Sequence, residues 1–203
     1  KSFFVDPFRP ARAAAPWLTR DHGYGLTHIH FYNSDFGRRV VRYPGPSAEL
    51  LEIMIALAQL REDDDLMLEL VLCYATTAGA HPGTIALHDR IAGERIKKFG
   101  ATLDCRRKFP RAYHPCFVAW LYVAARRHSA DLFQPSAHDE ERSQSLRCTL
   151  QPLVSGDPFA FLSAYADHAR TFGPNPAIEP SLALFGEIVG LASRRDRPRA
   201  TAA

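Results

Sequence analysis

Apolar residues after position 46 recur every three or four residues, the spacing that aligns them along one side of an α-helix. Two stretches, Ser47–Leu60 and 66–78, are apolar on almost every side, which predicts helices buried at the centre of the protein. Ser47 is a good capping residue for the first of them. Four further apolar side chains are expected to pack around this pair: Trp120, Leu121, Phe161 and Phe185.

Residues that start and stop helices predict five more helices in the rest of the chain. Proline in the first turn marks two of the starts, at His114-Pro115 and Asp157-Pro158. Ser136, with Asp139 three residues later, forms a capping pattern for another. The remaining two are predicted over 84–100 and 181–193, which makes about seven helices in all.

The region 26–43 has a different pattern, in which polar and apolar residues alternate as they do in a half-buried strand. We predict a β-hairpin with strands at 26–33 and 38–43, joined by a four-residue loop that ends in Gly37. A shift of one residue in the pairing would reverse the faces of the second strand. In the predicted register, one face carries His28, His30, Tyr32, Arg39 and Tyr43.

The expected fold class is therefore mainly α with an N-terminal β-hairpin, or α+β if the hairpin joins a larger sheet. A length of 203 residues suits one domain. We predict an irregular arm rich in proline and arginine at 1–20, a single helix-rich domain at 21–193 and a basic tail at 194–203.

Composition narrows the setting but not the activity. The chain is 46% hydrophobic and 23% charged, as in ordinary globular proteins. It has no apolar run of the roughly 18–20 residues that a membrane span needs, so no membrane partner is expected. Its four cysteines form no CxxC pair, which favours reduced thiols in a cytoplasmic protein.

His28 and His30 are the first candidates for chemistry. On one face of a strand, two imidazoles two residues apart supply half of a metal site. The segment 21–30, DHGYGLTHIH, resembles the His-hydrophobic-His motif of rolling-circle replication initiators, relaxases and related transposases. The resemblance implies that His28 and His30 bind a divalent metal ion, with a third ligand left open between His22 and Asp35.

The same resemblance implies a tyrosine nucleophile that attacks a phosphodiester activated by the metal. Tyr122 is the best candidate, because Arg126 follows one helical turn later, and Tyr74 is the alternative. The protein would then be a metal-dependent enzyme that nicks and joins DNA.

A basic segment between positions 95 and 111 supports a different hypothesis, and we rank it first. The protein would be a non-catalytic helical binding module that contacts nucleic acid or a protein partner through an Arg-rich surface, with no cofactor required. A helix–turn–helix over 84–100, with its turn at Gly93, is one way to present part of this segment. Its cations are Arg95, Lys97, Lys98, Arg106, Arg107, Lys108 and Arg111.

Two other clusters have ordinary explanations. The run Asp63-Asp64-Asp65 precedes an apolar helix, where carboxylates usually form a solvated cap favoured by the helix dipole. The second cluster consists of three cysteines and one histidine, which could bind zinc, although their spacing matches no known ligand pattern. They are Cys105, His114, Cys116 and Cys148.

Overall fold

The structure is a computed structural model that describes residues 5–102, 109–126 and 134–184. Within these ranges the chain is helical and contains no strand, which confirms the mainly α prediction. A further helical segment occupies 179–184. The named helices are α1 (Phe8–Ala14), α2 (Arg20–Asn33), α3 (Ser47–Leu60), α4 (Asp64–Ala75), α5 (Pro82–Thr102), α6 (Phe109–Arg126), α7 (Ala137–Val154) and α8 (Pro158–Phe172).

Helix α4 lies at the centre of the fold. Every residue from 66 to 74 is buried, which agrees with a sequence that is apolar on all sides. Because α4 carries apolar side chains on every side, it is shielded from water by four helices that pack against it, namely α2, α3, α5 and α6. Helix α3 is buried over most of its length and also packs on α7, which in turn packs on α8.

Two of the predicted capping patterns begin helices in the structure. Helix α3 has the predicted bounds, but the prediction that Ser47 caps it is wrong: Ser47 is its first residue, and the Ser47 hydroxyl donates to the Pro44 carbonyl at 3.1 Å. The Ser136 hydroxyl and the Asp139 carboxylate bond each other's backbone N–H groups at the start of α7. Asp157 accepts from the backbone N–H groups of Phe159 and Ala160 at the start of α8. Each contact satisfies backbone donors that have no partner inside the helix.

The predicted β-hairpin at 26–43 is wrong, and so is the α+β alternative. The first predicted strand lies inside α2, and the second is irregular except for one isolated bridge between Val41 and Thr77. Thr19 starts α2 because its side chain accepts from the backbone N–H of His22, whose ring contacts the backbone of Thr19 in return. The alternation was short, and it coexists with a helical spacing of buried positions: Gly23, Leu26, Thr27, His30 and Phe31.

Two further predictions are wrong in part, and a third falls outside the described residues. Trp120 is 64% exposed and does not join the core, whereas Phe161 is fully buried. The arm at 1–20, predicted as irregular, contains α1. Phe185 and the tail at 194–203 lie outside the described residues. Across the described ranges, no helix combines the length and apolar character needed to cross a membrane.

Helices α2 and α4 approach each other closely at Gly23. A Cβ atom at this position would lie 2.8 Å from Cδ2 of Leu66, which is closer than carbon atoms normally approach. Glycine therefore lets the two helices pack side by side. The next turns of α2 are consequently held against α4, and these turns carry Thr27 and His28.

His30 is a structural residue in the core rather than a ligand. It is fully buried, with Nε2 2.7 Å from the Thr76 hydroxyl and Nδ1 3.0 Å from the Tyr43 hydroxyl. Because the Thr76 hydroxyl donates to the Leu72 carbonyl, it accepts from Nε2–H, and Nδ1 then accepts from Tyr43. Both ring nitrogens are thus used by a neutral imidazole.

Burial lowers the pKa of His30 to about 4, so stability should depend on pH. Between about pH 6.5, the usual value for unfolded histidine, and pH 4, the unfolded chain binds the extra proton. The contribution of His30 to the free energy of unfolding should therefore be fully present above about pH 6.5 and be lost by up to about 1.4 kcal/mol per pH unit below it. His88, whose pKa burial lowers to about 3, adds its own slope below pH 6.5. Urea unfolding at several pH values measures this slope.

The variant His30→Gln should unfold with a smaller slope over the same pH window, whatever its stability at pH 7.5. His138→Gln, on the exposed surface of α7, is the matched control. Equal slopes for wild type and His30→Gln would contradict the assignment of a buried neutral imidazole.

Candidate metal centre

Two imidazoles and one carboxylate converge where three helices meet. They belong to His28 on α2, Glu69 on α4 and His114 on α6, and one ligand atom from each lies within 4.8 Å of the others. The packing of both α2 and α6 against α4 brings these residues together. Two histidines and a carboxylate are a common ligand set for divalent transition metals.

Glu69 is the buried member of this cluster, with 1% of its surface exposed. Its Oε2 accepts a hydrogen bond from the Thr27 hydroxyl, and its Oε1 lies 3.7 Å from Nε2 of His114. Burial raises the pKa of Glu69, and the nearby hydroxyl and imidazoles oppose this rise. A cation between Glu69 and the two rings would offset the cost of burying this charge.

A second carboxylate orients His114. The Nδ1 atom of His114 lies 2.9 Å from Oδ2 of Asp65, so this nitrogen carries the ring hydrogen and donates a hydrogen bond to Asp65. The Tyr24 hydroxyl donates to the same Oδ2 at 2.9 Å. With Nδ1 protonated, a neutral His114 turns its Nε2 lone pair toward Glu69. Carboxylates hold metal-binding histidines in this way in known metalloproteins.

The cluster lines one end of a cavity of about 180 Å³. The other lining side chains are aromatic or aliphatic: Phe31, Tyr32, Phe36, Phe117, Val118 and Leu121. A metal ion bound by three protein side chains keeps at least one position open for water or substrate. Here that position would adjoin the apolar cavity.

The structure separates the two histidines that the sequence placed together. In a helix, residues two apart point about 200° away from each other. His28 therefore reaches the cavity, while His30 points into the core. The two alternatives for the third ligand are used elsewhere, since His22 belongs to the α2 cap and Asp35 lies 3.8 Å from Arg38.

Neither candidate tyrosine is placed as an accessible nucleophile. Tyr122 is 5% exposed and donates a hydrogen bond to Asp89. Tyr74 is buried and donates to Glu52 at 2.8 Å. Neither residue lines the cavity beside His28.

The basic segment stays a prediction, because much of it lies outside the described residues. Arg95 lies 3.5 Å from Asp64, and Lys97 is exposed. The predicted helix–turn–helix is wrong, since α5 continues through Gly93 without a turn. Not described are residues 106–108 and the side chains of Lys98 and Arg111.

The predictions from the sequence include neither Glu69 nor Asp65 in a candidate site. Asp63 does cap α4, as the sequence predicted for the run of aspartates, but Asp65 also holds His114. The sequence groups His114 only with cysteines, and the described cysteines of that set, Cys116 and Cys148, are free thiols. The sequence held one usable signal: Glu69 interrupts an apolar helix one turn after Asp65, where a buried charge needs a partner.

The sequence model of a family described as "Domain of unknown function (DUF6895)" matches residues 10–124. This range covers more than half of the chain, so the protein belongs to that family. The matched range includes all three members of the cluster as well as Asp65. No curated protein matches the chain, and no solved structure matches it.

The raised pKa of Glu69 predicts that its charge lowers the stability of the metal-free protein. A carboxyl group with a raised folded pKa stabilises the fold at low pH and loses that contribution as pH rises through the folded pKa. Glu69→Gln should therefore equal or exceed wild type in free energy of unfolding at pH 7.5, by a margin that grows with pH. Urea unfolding in a chelator at pH 5 and pH 8 measures this margin.

Glu52→Gln is the matched control: burial raises the pKa of Glu52 as well, but this carboxylate pairs with the Arg142 guanidinium, which opposes the rise. This variant should lose about 1–3 kcal/mol, since it leaves a half-buried guanidinium without its partner. If Glu69→Gln lost as much as Glu52→Gln, Glu69 would be half of a structural ion pair with a protonated His114.

Proposed function

We propose that this protein is a metalloprotein that binds one divalent transition-metal ion through His28, Glu69 and His114. The ion would act as a Lewis acid on a small molecule bound in the adjoining cavity. The observation that carries the proposal is the buried carboxylate of Glu69, which faces two imidazoles and no arginine or lysine of the described ranges.

The contrast between two buried glutamates supports this proposal. Glu52 on α3 has a guanidinium partner in Arg142 and a hydrogen bond from Tyr74. Among the described residues, Glu69 pairs with no arginine or lysine and has only a hydroxyl and imidazoles beside it. Buried charges are normally paired or coordinate metals, and the second explanation fits Glu69.

The arrangement around the cluster matches that of a reactive centre more closely than that of a structural zinc site. Structural zinc sites have four protein ligands, mostly cysteine, whereas this cluster has three ligands and borders a cavity. The ligand set suits Zn²⁺ in hydrolytic chemistry and Fe²⁺ in oxygen chemistry. Metal analysis distinguishes these two.

Metal-dependent chemistry agrees with the second hypothesis from the sequence, but the tyrosine nucleophile of that hypothesis is not part of this proposal. A phosphodiester enzyme would need cations to bind phosphates, and no arginine or lysine lines the cavity in the described part of the chain. Tyr122 has no place in the proposed chemistry, because its hydroxyl donates to Asp89 on α5 and its side chain does not line the cavity.

Zinc titration of the chelator-treated protein tests the site. We expect one tight site per chain at pH 7.5, and free metal at 100 times Kd should add about 2.7 kcal/mol to the free energy of unfolding. For a chain of this size, that gain raises Tm by roughly 5–10 °C. Isothermal titration calorimetry and thermal unfolding measure both quantities, with Mn²⁺ and anaerobic Fe²⁺ as parallel titrants.

His28→Ala should abolish the tight site without unfolding the protein, because His28 is exposed. His138→Ala removes an exposed histidine that belongs to no cluster and should bind zinc as wild type does. Equal binding by the two variants would place the metal elsewhere. If none of the three ions bound, the cluster would be only an ion-pair network.

Loss of the contact between Asp65 and His114 should weaken metal binding without abolishing it. Asp65→Asn should lower metal affinity by about 10–100-fold, because an amide orients the imidazole less firmly and makes it less basic. Tyr24→Phe, which removes the hydrogen bond to Asp65 and the one that the Tyr24 hydroxyl accepts from Arg20, should reduce affinity less. An unchanged Kd for Asp65→Asn would show that Asp65 does not support a bound metal.

A further inference from the structure

We propose that the ligand of this cavity is a small apolar molecule about the size of one aromatic ring, carrying one oxygen-donor group for the metal. The inference rests on the proposed function and adds the class of molecule that the centre would accept. Its basis is the division of the cavity into one polar end and one apolar body.

The polar groups of the cavity lie together. His28, Glu69 and His114 line one end, and apart from the Tyr32 hydroxyl the remaining walls are hydrocarbon. No arginine or lysine of the described ranges lines this cavity, so it offers no fixed cation to a phosphate or a second carboxylate. Inside the cavity, polar atoms of the ligand are therefore satisfied only near the metal, so the part of the ligand that contacts the other walls is apolar.

The inner cavity is open to solvent beside Tyr32 and Phe117, and its volume suits a single ring. A cavity of about 150 Å³ lined by apolar side chains accommodates benzene, and this one measures about 180 Å³. A larger groove of about 610 Å³ adjoins it, shares Phe36, Phe117 and Leu121 as walls, and is also lined by Asp35 and Arg38. A ring in the inner cavity therefore has space for a substituent that extends toward Trp120.

The walls also favour a flat ring. Phe31 and Phe36 stack with centroids 6.4 Å apart, and Phe117 stacks with Trp120 at 6.2 Å. Tyr32 is 74% exposed and Phe117 is 50% exposed, which leaves aromatic surface in water. An aromatic ligand would cover this surface and gain both burial and ring–ring contact.

Two hydroxamates with the same metal-binding group test the inference on the zinc-loaded protein. Benzohydroxamate carries a phenyl ring where acetohydroxamate has a methyl group. Benzohydroxamate should bind at least about tenfold more tightly, because the ring buries apolar area in the cavity. Calorimetry on the zinc-loaded protein measures both Kd values, and neither compound should bind the chelator-treated protein.

Variants of the wall then show where the ring lies. Phe117→Ala and Tyr32→Ala should each reduce the preference for benzohydroxamate and leave the Kd of acetohydroxamate unchanged. Both positions are at least half exposed, so the variants should fold. Phe159→Ala on α8 is the matched control, because Phe159 is 70% exposed and lines neither the cavity nor the groove.

The outcomes separate this inference from the proposed function. If zinc binds and the two hydroxamates bind equally, the metal site stands and the aromatic ligand class is wrong. The same conclusion follows if benzohydroxamate is preferred equally by wild type and both wall variants. If zinc does not bind, the proposed function fails and the inference fails with it.

Discussion

The burial of α4 is the constraint on which the rest of this structure depends. Residues 66–74 are all buried, so this helix has no side that can face water and must be covered by others. The covering helices α2 and α6 lie over the face that carries Asp65 and Glu69. Hydrophobic packing thereby places two acidic groups opposite two imidazoles, and the candidate site is a consequence of the core.

The two histidines of α2 show how one helix serves both core and site. His30 is buried, neutral and hydrogen-bonded through both nitrogens, so it links α2 to the end of α4 and to Tyr43. His28, half a turn away, lies at the cavity beside Glu69. The side of the helix that each residue occupies decides its role, and a strand would have given both histidines the same environment.

The buried carboxylates of the core have different physical explanations. Glu52 belongs to a network with Tyr74 and Arg142 that joins α3, α4 and α7, and its charge is matched within the protein. Glu69 lies on the neighbouring helix with a hydroxyl and imidazoles, which match its charge only if a ring is protonated or a metal is bound. These two states differ in stability and in metal affinity.

The sequence by itself determined the helical class, the bounds of α3 and the starts of α7 and α8, because periodicity and capping are local properties. It also singled out His28, but for a strand that does not form. The alternation at 26–33 is short and also fits a helix, and only the burial of Leu26, His30 and Phe31 against α4 and its neighbours decides between them. The candidate site depends on tertiary structure for the same reason, since Thr27 and Glu69 are 42 positions apart and Asp65 and His114 are 49 apart. No local pattern encodes a contact over such distances, and the packing of three helices creates it.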